Sequence, residues 1–286
     1  MERATIAGVL LNYRDAARSI ICIRSLFAQD IFHIVVWDNS ADGGESAAQI
    51  RVAFDADPRV IIEISPANLG FGAGVNRALQ ACMRQFDAAW VVLINNDATL
   101  RNGAVKALMQ ASREHPDAVL ISMDIQHAGH RQGRLHYQRW TGLQFAHAVL
   151  GSFPYASGCC LWLDVKRTPS PLFDESFFMY GEDCELAWRV SKDPGAWVHL
   201  SKLLVNHEGS ASSGLGSLFY ETQVVVAHLL LARKLARNFF EMSLFTMLRV
   251  PVLMTRAAVR SMRYRSWTPW HALQRGVSIA WCQRRI

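Results

Sequence analysis

Short apolar runs alternate with helix-like patterns over the first 115 residues of the chain. The runs are rich in β-branched residues and too short for ordinary helices, so they predict buried strands at Thr5–Asn12, Ile34–Trp37, Val60–Ile64 and Trp90–Ile94. Apolar residues recur at helical spacing between them, which predicts helices over residues 14–29, 46–54, 77–85 and 102–114. This alternation predicts a mostly parallel sheet with helices on both faces.

Polar or glycine-rich segments follow three of these strands. Asp38 opens the loop DNSADGG, residues 68–76 read NLGFGAGVN, and Asn95-Asn96-Asp97 ends the Trp90–Ile94 run. Because crossovers are right-handed, these loops are expected at one sheet edge, where α/β proteins bind ligands. A carboxylate flanked by amides can hold Mg²⁺ against phosphate oxygens, although an Asx-type turn explains the same residues.

The glycine-rich segment matches neither common phosphate loop. No GK[ST] follows it, as a Walker A loop requires, and GFGAG misses the GxGxxG spacing of a dinucleotide site. Simple turn chemistry remains an alternative for these glycines.

The second half of the chain offers further candidate residues. Ser157-Gly158 precedes a predicted strand, and such a turn lets the backbone approach a ligand or makes a tight packing corner. An aromatic run leads into Glu182 and Asp183 at a predicted helix start, where acids either complement the helix dipole or supply a general base. His207 follows a predicted strand, Trp197–Asn206, and a single histidine there is usually structural.

Residues 127–137 are predicted to form a mobile loop.

The C-terminal part of the chain is predicted to be helical. Residues 224–235 and 241–263 mix apolar residues with arginines, Pro251 is expected to kink the second stretch, and tryptophans follow. An apolar face, an Arg-rich polar face and interfacial Trp describe a helix on an anionic membrane. The alternative is a helical cap with a solvated basic face. We therefore divide the chain into a domain of residues 1–214 and a basic amphipathic tail of residues 215–286.

Composition narrows the protein class. The chain has 286 residues, 51% of them hydrophobic, and a formal charge of +6 whose basic excess lies in the tail. Six cysteines without a CxxC pair suit a reducing compartment and argue against structural zinc. No signal-peptide pattern and no run of 18 uncharged apolar residues occurs, so we expect a cytoplasmic protein without a transmembrane helix.

With these segments in order, the chain resembles the family-2 inverting glycosyltransferases of the GT-A fold. It is most similar to the bacterial branch that includes rhamnosyltransferases of polysaccharide and lipopolysaccharide assembly. The matching segments span residues 5 to about 214 and are VLLNYR, VVWDNSADGG, NLGFGAGVN, LINNDATL, ASGCCLWL, FDESFFMYGEDCELAWRV and VNHEGSASSG. The resemblance implies an α/β, Rossmann-like, mostly parallel sheet flanked by helices, with a C-terminal helical extension.

The resemblance also implies roles for individual residues. Asp38 matches the carboxylate that recognises the nucleobase, and Asp97 matches the last acid of the DxD-type metal motif, here Asn95-Asn96-Asp97. His207 matches a histidine that completes the Mg²⁺ or Mn²⁺ site in some relatives. Asp183 matches the base that deprotonates the acceptor hydroxyl, with Glu182 beside it. The remaining residues implied at the donor site are Asn12, Asn68, Gly70, Gly72, Asn76, Asn95, Asn96, Ser157 and Gly158.

The expected partners are a nucleotide-diphosphate sugar and a glycan or lipid-linked acceptor. The tail is expected to contact the inner face of the cytoplasmic membrane peripherally. Rhamnose is the donor sugar suggested by resemblance, while UDP-linked hexoses remain possible donors.

Two other functions are alternatives to a sugar transferase. A nucleotidyltransferase would be expected to carry a basic glycine-rich loop after its first strand. A non-enzymatic nucleotide-sugar-binding module would not need a separate acidic segment. Nucleic-acid binding is least expected, because the basic excess lies in an apolar tail.

Overall fold

A computed structural model of the chain describes residues 5–127, 129–209, 214 and 216–282. The strands are β1 Ile6–Asn12, β2 His33–Asp38, β3 Val60–Ile64, β4 Trp90–Ile94, β5 Ala98–Leu100, β6 Leu120–His127, β7 His130–Gln132, β8 Leu135–Gln138, β9 Gln144–Phe145, β10 Ser152–Tyr155, β11 Cys160–Asp164 and β12 Trp197–His207. The helices are α1 Ala16–Phe27, α2 Glu45–Ala53, α3 Phe71–Gln85, α4 Ala104–Glu114, α5 Glu182–Val190, α6 Leu218–Lys234, α7 Phe239–Tyr264 and α8 Thr268–Cys282. This order confirms the predicted α/β fold with a C-terminal helical region.

The chain forms two compact units. The first unit contains Met1–Arg134, Ala156–Phe173 and Val190–Gly209, and the second contains Leu135–Tyr155, Asp174–Arg189 and Ser210–Ile286. The predicted boundary between residues 214 and 215 adjoins a segment in which residues 210–213 and 215 lie outside the described residues. The division into domains of residues 1–214 and 215–286 therefore stays a prediction.

Among the described residues, the first unit holds one sheet of nine strands. Its order is β3-β2-β1-β4-β11-β6-β12-β5, with β7 paired to β6. β1 pairs in parallel with β2 and β4, while β11 runs antiparallel between β4 and β6. The carboxyl ends of β1, β2 and β4 therefore lie side by side, and the register pairs Asn12 with Asp38.

Helix α1 shows how the sequence pattern builds this unit. Asp15 caps it by accepting a hydrogen bond from the Arg18 N–H, and its apolar residues Ile23 and Leu26 are fully buried. A Cβ at Gly8 in β1 would lie 2.8 Å from a Leu26 methyl carbon. Glycine at this position lets the helix pack directly on the sheet, which fixes the strand ends on which the site is built.

Residues 127–137 were expected to form a mobile loop, and that expectation was wrong. β6 extends to His127, β7 folds back on it, and β8 pairs with β10. These strands are short and polar, so their pairing depends on neighbours elsewhere in the chain rather than on a local apolar alternation.

The second unit combines a small sheet with the C-terminal helices. Among the described residues, the sheet has the three strands β10-β8-β9, and helices α7 and α8 both pack on α6. A Cβ at Gly276 of α8 would lie 2.6 Å from Val225 of α6, so glycine permits this close approach. Tyr137, Phe153 and Phe177 are buried in a shared core with Leu230 and Leu231 of α6.

Among the described residues, one helix, α7, is long enough and apolar enough to cross a membrane. This criterion considers only length and composition. The expectation of no such helix is therefore not upheld on that criterion. Only 22% of its most apolar 18-residue stretch is buried. Pro251 lies inside α7, and the helix continues on both sides of it.

Candidate active site

A buried group of polar side chains joins the carboxyl ends of β1 and β2. Asn12 Nδ2 donates to Asp38 Oδ1 at 2.8 Å and to Ser40 Oγ at 3.1 Å. Ser40 Oγ also donates to Asp38 Oδ1, while Asp38 Oδ2 is buried without a hydrogen-bond partner among the described residues. Buried polar atoms are normally hydrogen-bonded, so this oxygen is an acceptor that a bound ligand could satisfy.

This group continues toward β4 through a single serine. Ser19 Oγ donates to Asn12 Oδ1 at 2.7 Å, and Asn96 Nδ2 donates to Ser19 Oγ at 3.2 Å. A continuous hydrogen-bonded chain therefore runs from Asp38 to Asn96. It fixes the orientation of the Asn12 and Asn96 amides, because each amide has its oxygen or nitrogen committed to a partner.

Asp97 and His207 meet at the end of this chain. His207 Nε2 lies 3.2 Å from Asp97 Oδ1, and the Glu208 N–H donates to the Asp97 carbonyl at 3.0 Å. On the other side of its ring, His207 Nδ1 lies 3.0 Å from His127 Nδ1. Both partners come from strand pairing, because β12 lies between β6 and β5.

The electrostatics of this group favour an ionised Asp97. Burial pushes the pKa of Asp97 upward, but the hydrogen bond and charge of His207 outweigh it and hold that pKa below its usual value. Burial, followed by the charge of His207, lowers the pKa of His127. A carboxylate beside an imidazole is thus available as a pair of ligands.

A cavity of about 350 Å³ opens beside Asp97 and His207, and Asn96 also lines it. Arg18 lies on its wall, held by Glu208 at 2.7 Å and by Asp15 at 2.5 Å. The hydrogen bonds that Arg18 donates to Glu208 and Asp15 raise its pKa further, so the guanidinium stays charged. The cavity therefore combines the Arg18–Glu208 ion pair with the Asp97 carboxylate and the His207 imidazole.

Metal ligation here rests on two side chains. Within the described ranges, no group of three or more His, Cys, Asp or Glu side chains is placed to hold a metal ion. Asp97 and His207 nevertheless fit a divalent ion that completes its shell with phosphate oxygens and water, since Mg²⁺ is commonly held by one or two carboxylates plus substrate phosphates. Imidazole together with carboxylate also suits Mn²⁺.

The glycine-rich segment packs against the loop after β2. Asn39 Nδ2 donates to Asn68 Oδ1 at 2.8 Å and to the Gly70 carbonyl at 3.1 Å. The Gly70 N–H donates to Asn68 Oδ1, and Gly70 has φ +83°, which favours glycine. Gly72 follows in the first turn of α3. Asn39, which the sequence did not single out, thus holds this segment at the sheet edge.

Asn76 is occupied by the protein itself. It is buried in α3, its Nδ2 donates to the Phe173 carbonyl at 2.8 Å, and its Oδ1 accepts from the Phe173 N–H at 3.0 Å. This arrangement gives Asn76 a structural function, and contact with the donor stays a prediction.

The Ser157-Gly158 turn lies next to the end of β4. Cys159 accepts a hydrogen bond from the Asn95 N–H at 2.8 Å and donates its own N–H to Ser157 Oγ at 3.3 Å. The antiparallel pairing of β11 with β4 produces this contact, since it sets Cys160 opposite Ile94. The turn therefore adjoins the Asn95-Asn96-Asp97 segment, and its contact with the donor stays a prediction.

A Ser–His–Asp arrangement also occurs in the first unit. His199 Nδ1 lies 2.9 Å from Ser122 Oγ, and His199 Nε2 lies 2.9 Å from Asp124 Oδ1. All three side chains are buried, and Ser122 Oγ accepts from Trp197 Nε1 at 2.8 Å. The hydroxyl is not presented to a substrate, so this group stabilises the pairing of β6 with β12 and is not a nucleophilic triad.

Glu182 and Asp183 begin α5 in the second unit. Tyr180 and Gly181 precede them with φ of +70° and +91°. A positive φ costs about 1–3 kcal/mol in a bulky residue and persists mainly at functional sites. Burial, followed by the negative charge of Asp183, raises the pKa of Glu182 to about 8. Glu182 is therefore protonated at neutral pH.

Both carboxyl groups line a cavity of about 850 Å³ within the second unit. Tyr137, Tyr155 and Tyr180 contribute aromatic rings to its wall, and residues of α6 and α7, about half of them aliphatic, contribute most of the rest. A mostly apolar cavity with a few polar groups is typical of a small-molecule site.

A family model matches more than half of the chain. The match covers residues 12–166, and the model describes Glycosyl transferase family 2. The chain belongs to glycosyl transferase family 2. It is therefore a glycosyltransferase that takes its sugar from a nucleotide-linked donor, and the family implies inversion at the anomeric carbon.

A named relative is similar to this chain over about three fifths of its length. The N-acetylglucosaminyl-diphospho-decaprenol L-rhamnosyltransferase of Mycobacterium tuberculosis is 28% identical over 209 residues, covering 61% of this chain and 67% of the relative. Its name describes a rhamnosyltransferase that acts on a lipid-linked diphosphate.

Solved structures share the fold. TarS 1–349 of S. aureus has a TM-score of 0.56 and 16% identity, with 86% of this chain and 69% of that chain covered. The mannosyltransferase PcManGT from Pyrobaculum calidifontis, in complex with GDP-Man and Mn²⁺, has a TM-score of 0.57 and 12% identity, with 98% and 88% covered. TarS has also been solved with UDP-GlcNAc. Family 2 enzymes commonly use a divalent metal, and these neighbours bind nucleotide sugars.

The structure brings most of the predicted donor and metal residues of this family 2 chain to one edge of the first unit. Asp183 and Glu182 lie in the second unit. The sequence did not reveal Ser19, Asn39 or Arg18. Ser19 and Arg18 are ordinary polar positions of an amphipathic helix, so no sequence pattern marks them, and the functions of all these residues stay predictions.

Proposed function

We propose that this family 2 enzyme transfers a sugar, with rhamnose the first candidate, from a nucleoside diphosphate to a lipid-linked acceptor in cell-surface polysaccharide or lipopolysaccharide synthesis. The observation that carries the proposal is the hydrogen-bonded chain from Asp38 to Asn96 beside the Asp97–His207 pair. The similarity to a diphospho-decaprenol rhamnosyltransferase supports the sugar and the acceptor class.

The donor is proposed to lie along the edge formed by β1, β2 and β4. The free Oδ2 of Asp38 accepts an N–H of the nucleobase, which supplies the partner that this buried oxygen lacks. Arg18 is proposed to bind the diphosphate, because its guanidinium is charged and lies in the Asp97 cavity. Asn68, Gly70 and Gly72 are proposed to line the sugar-nucleotide path.

Asp97 and His207 are proposed to be the side chains that would hold Mg²⁺ or Mn²⁺ at the diphosphate end of the donor. When bound, the ion neutralises the charge that develops on the departing nucleoside diphosphate. The low pKa of Asp97 keeps its carboxylate ionised for this purpose.

Asp183 is proposed as the general base that removes the proton from the acceptor hydroxyl. An inverting transfer is a single displacement, so it needs a base on the acceptor and no protein nucleophile. Protonated Glu182 beside it adds no second negative charge at neutral pH. Aromatic rings in the same cavity suit a sugar face.

Contact with a membrane is proposed through the exposed face of α7. That face carries the exposed residues Phe240, Leu244, Met247, Val250, Met254 and Met262. Exposed apolar surface of this kind marks an interaction site. We propose a cytoplasmic enzyme that is peripheral on the inner face of the cytoplasmic membrane. Met247→Glu/Met254→Glu should abolish co-sedimentation with anionic liposomes, while Met83→Glu on α3 should not. Equal sedimentation of all three proteins would contradict this contact.

Donor binding provides the first test of the proposed function. Thermal unfolding is measured with dTDP-, UDP- and GDP-sugars, each with and without Mn²⁺. A ligand at a hundredfold excess over its Kd stabilises the native state by about 2.7 kcal/mol, which is readily measured. We expect a metal-dependent shift with one nucleotide class and its loss in Asp97→Asn. No shift with any nucleotide sugar would refute the donor site.

The base is tested separately. Asp183→Asn should abolish transfer to the acceptor while the nucleotide-sugar thermal shift stays unchanged, because the change lies in the second unit. Equal loss of transfer and of donor binding would remove Asp183 from the base function.

A further inference from the structure

Three arginines of α7 share one face of the helix. Arg249, Arg256 and Arg260 are spaced by seven and four residues, which places them on the same side of an α-helix. Arg249 is fully buried, and the side chains of Arg256 and Arg260 are only 22% and 19% exposed. The sequence suggested an exposed basic face, whereas the structure turns these arginines inward.

Arg256 and Arg260 share a single buried carboxylate. Glu221 of α6 is fully buried, with Oε2 bound by Arg256 Nη1 and Oε1 bound by Arg260 Nε at 2.5 Å. Two guanidinium groups against one carboxylate leave one surplus positive charge. Arg260 Nη2 is also buried with no hydrogen-bond partner among the described residues. A buried charged donor without a partner is costly unless a ligand supplies the acceptor.

Both arginines line the same 850 Å³ cavity as Asp183. Asp183, as the candidate base, brings one negative charge to this wall. The other titratable groups bring none: burial, followed by the charges of Arg249 and Arg256, lowers the pKa of His228 to about 3, and burial, followed by the charge of Asp183, raises the pKa of Glu182 to about 8. Tyr137, Tyr155, Tyr180, Tyr220 and Cys184 complete the titratable lining and are neutral at pH 7 in their ordinary forms. The cavity thus presents a cationic pair and a candidate base on otherwise largely apolar walls.

We propose that Arg256 and Arg260 bind the phosphate oxygens of the acceptor, namely the diphosphate that links the acceptor sugar to its lipid. This assignment rests on the proposed function, since it places the acceptor in the cavity of the candidate base. Planar guanidinium groups match phosphate oxygens in charge and geometry. Glu221 acts as a positioning residue, because each of its oxygens holds one arginine in place.

The lipid side of such an acceptor has a matching feature on the same helix. The α7 face opposite the arginines carries the exposed apolar residues named above for the membrane contact. A diphosphate attached to a lipid needs a cationic group close to an apolar surface, and α7 provides both on its two faces. A free nucleoside diphosphate has no lipid chain, so it would not need the apolar face. We therefore assign the arginine pair to the acceptor diphosphate.

The test measures binding of farnesyl diphosphate and of farnesol, in detergent, to the full-length protein. Wild type should bind the diphosphate at least about tenfold more tightly than the alcohol, as charged hydrogen bonds predict. Arg256→Gln and Arg260→Gln should each lose most of this preference. Arg263→Gln, an exposed arginine of α7, is the matched control and should keep it.

Two further variants separate recognition from folding. The triple variant Glu221→Gln/Arg256→Gln/Arg260→Gln has no buried charge left unpaired at this cluster, so it should fold and yet show no preference for the diphosphate. Glu221→Gln alone keeps both arginine charges but removes the carboxylate that positions them, so it should weaken the preference for the diphosphate less than either arginine variant does. An unchanged preference in the arginine variants would overturn the proposal.

Nucleotide-sugar binding distinguishes the two sources of a diphosphate. The metal-dependent thermal shift with nucleotide sugar should be the same in wild type and in the arginine variants. If the arginine variants lose that shift together with farnesyl diphosphate binding, the pair serves the donor and the acceptor assignment fails. If wild type shows no nucleotide-sugar shift but the arginines still select the diphosphate, the proposed function fails while the subsite stands.

Discussion

Glu182, the first residue of α5, is a buried acid whose properties can be tested directly. Its Oε2 accepts no hydrogen bond among the described residues, and burial followed by the charge of Asp183 raises its pKa from 4.5 to about 8. Glu182→Gln replaces the acid with an amide of nearly the same shape that cannot ionise. The variant therefore isolates the cost of burying this carboxyl group.

The cost depends on pH in a defined direction. Below pH 4.5 the acid is protonated in both the folded and the unfolded chain, so its ionisation does not lower the free energy of unfolding. As the pH rises from 4.5 to 8, only the unfolded chain ionises, and wild type loses stability by about 1.4 kcal/mol per pH unit. The accumulated cost is ~3 kcal/mol at pH 7 and ~5 kcal/mol above pH 8, on the order of a third to a half of a typical domain's stability.

The assay is urea-induced unfolding of both proteins at pH 5, 7 and 9. We expect Glu182→Gln to differ from wild type by about 1 kcal/mol or less at pH 5 and to be more stable by ~3 kcal/mol at pH 7 and ~5 kcal/mol at pH 9. Glu114→Gln, an exposed acid at the end of α4, should show no such trend. A difference that stays constant from pH 5 to pH 9 would refute the burial argument.

Three other substitutions have defined outcomes. Arg249→Met should lower the free energy of unfolding by about 2–4 kcal/mol in urea, because three backbone carbonyls and the Tyr137 hydroxyl lose a charged donor; a change below 1 kcal/mol would contradict this. Ser19→Ala should raise KM for the nucleotide sugar several-fold, since it breaks the chain from Asn12 to Asn96, and steady-state kinetics with unchanged KM would exclude that link. Gly181→Ala should reduce kcat at least about tenfold, because φ is +91° and the added Cβ would lie 3.0 Å from the Phe177 ring; full activity would show that this turn tolerates a side chain.

Local sequence patterns predicted the elements that surround the donor edge. β3 and β4 were predicted with their observed bounds, and Asp38 was correctly placed at the end of β2. These predictions succeeded because a buried parallel strand is recognisable from its own composition. Its polar end residues then fall at the ligand edge by topology alone.

The remaining features depend on contacts between distant residues. In the sheet of the first unit, β11 pairs antiparallel with both β4 and β6. The sequence of β11 itself does not predict that position. Asn39 and Asn76 have the same side chain, yet the first holds the glycine-rich segment and the second binds the Phe173 backbone. An asparagine can serve a ligand or the backbone equally well, so only the fold decides between these functions.

Helix α7 shows what composition alone could not predict about the tail. A helix of a water-soluble protein buries its apolar face and exposes its charges. α7 departs from this pattern on both faces: it buries Arg249 against neutral acceptors beside the apolar Phe245 and Leu253, and it exposes Phe240, Met247 and Met262. Burying a guanidinium costs several kcal/mol of desolvation, and exposing large apolar side chains forgoes the free energy of burial. The backbone carbonyls and the Tyr137 hydroxyl that accept from Arg249 offset the first cost, and lipid over the outer face would offset the second. Phosphate oxygens would likewise supply acceptors to Arg256 and Arg260, which line the cavity. We therefore expect the exposed apolar residues and the arginine pair of α7 to serve one substrate with a lipid end and a phosphate end, because a helical cap requires neither of these two features.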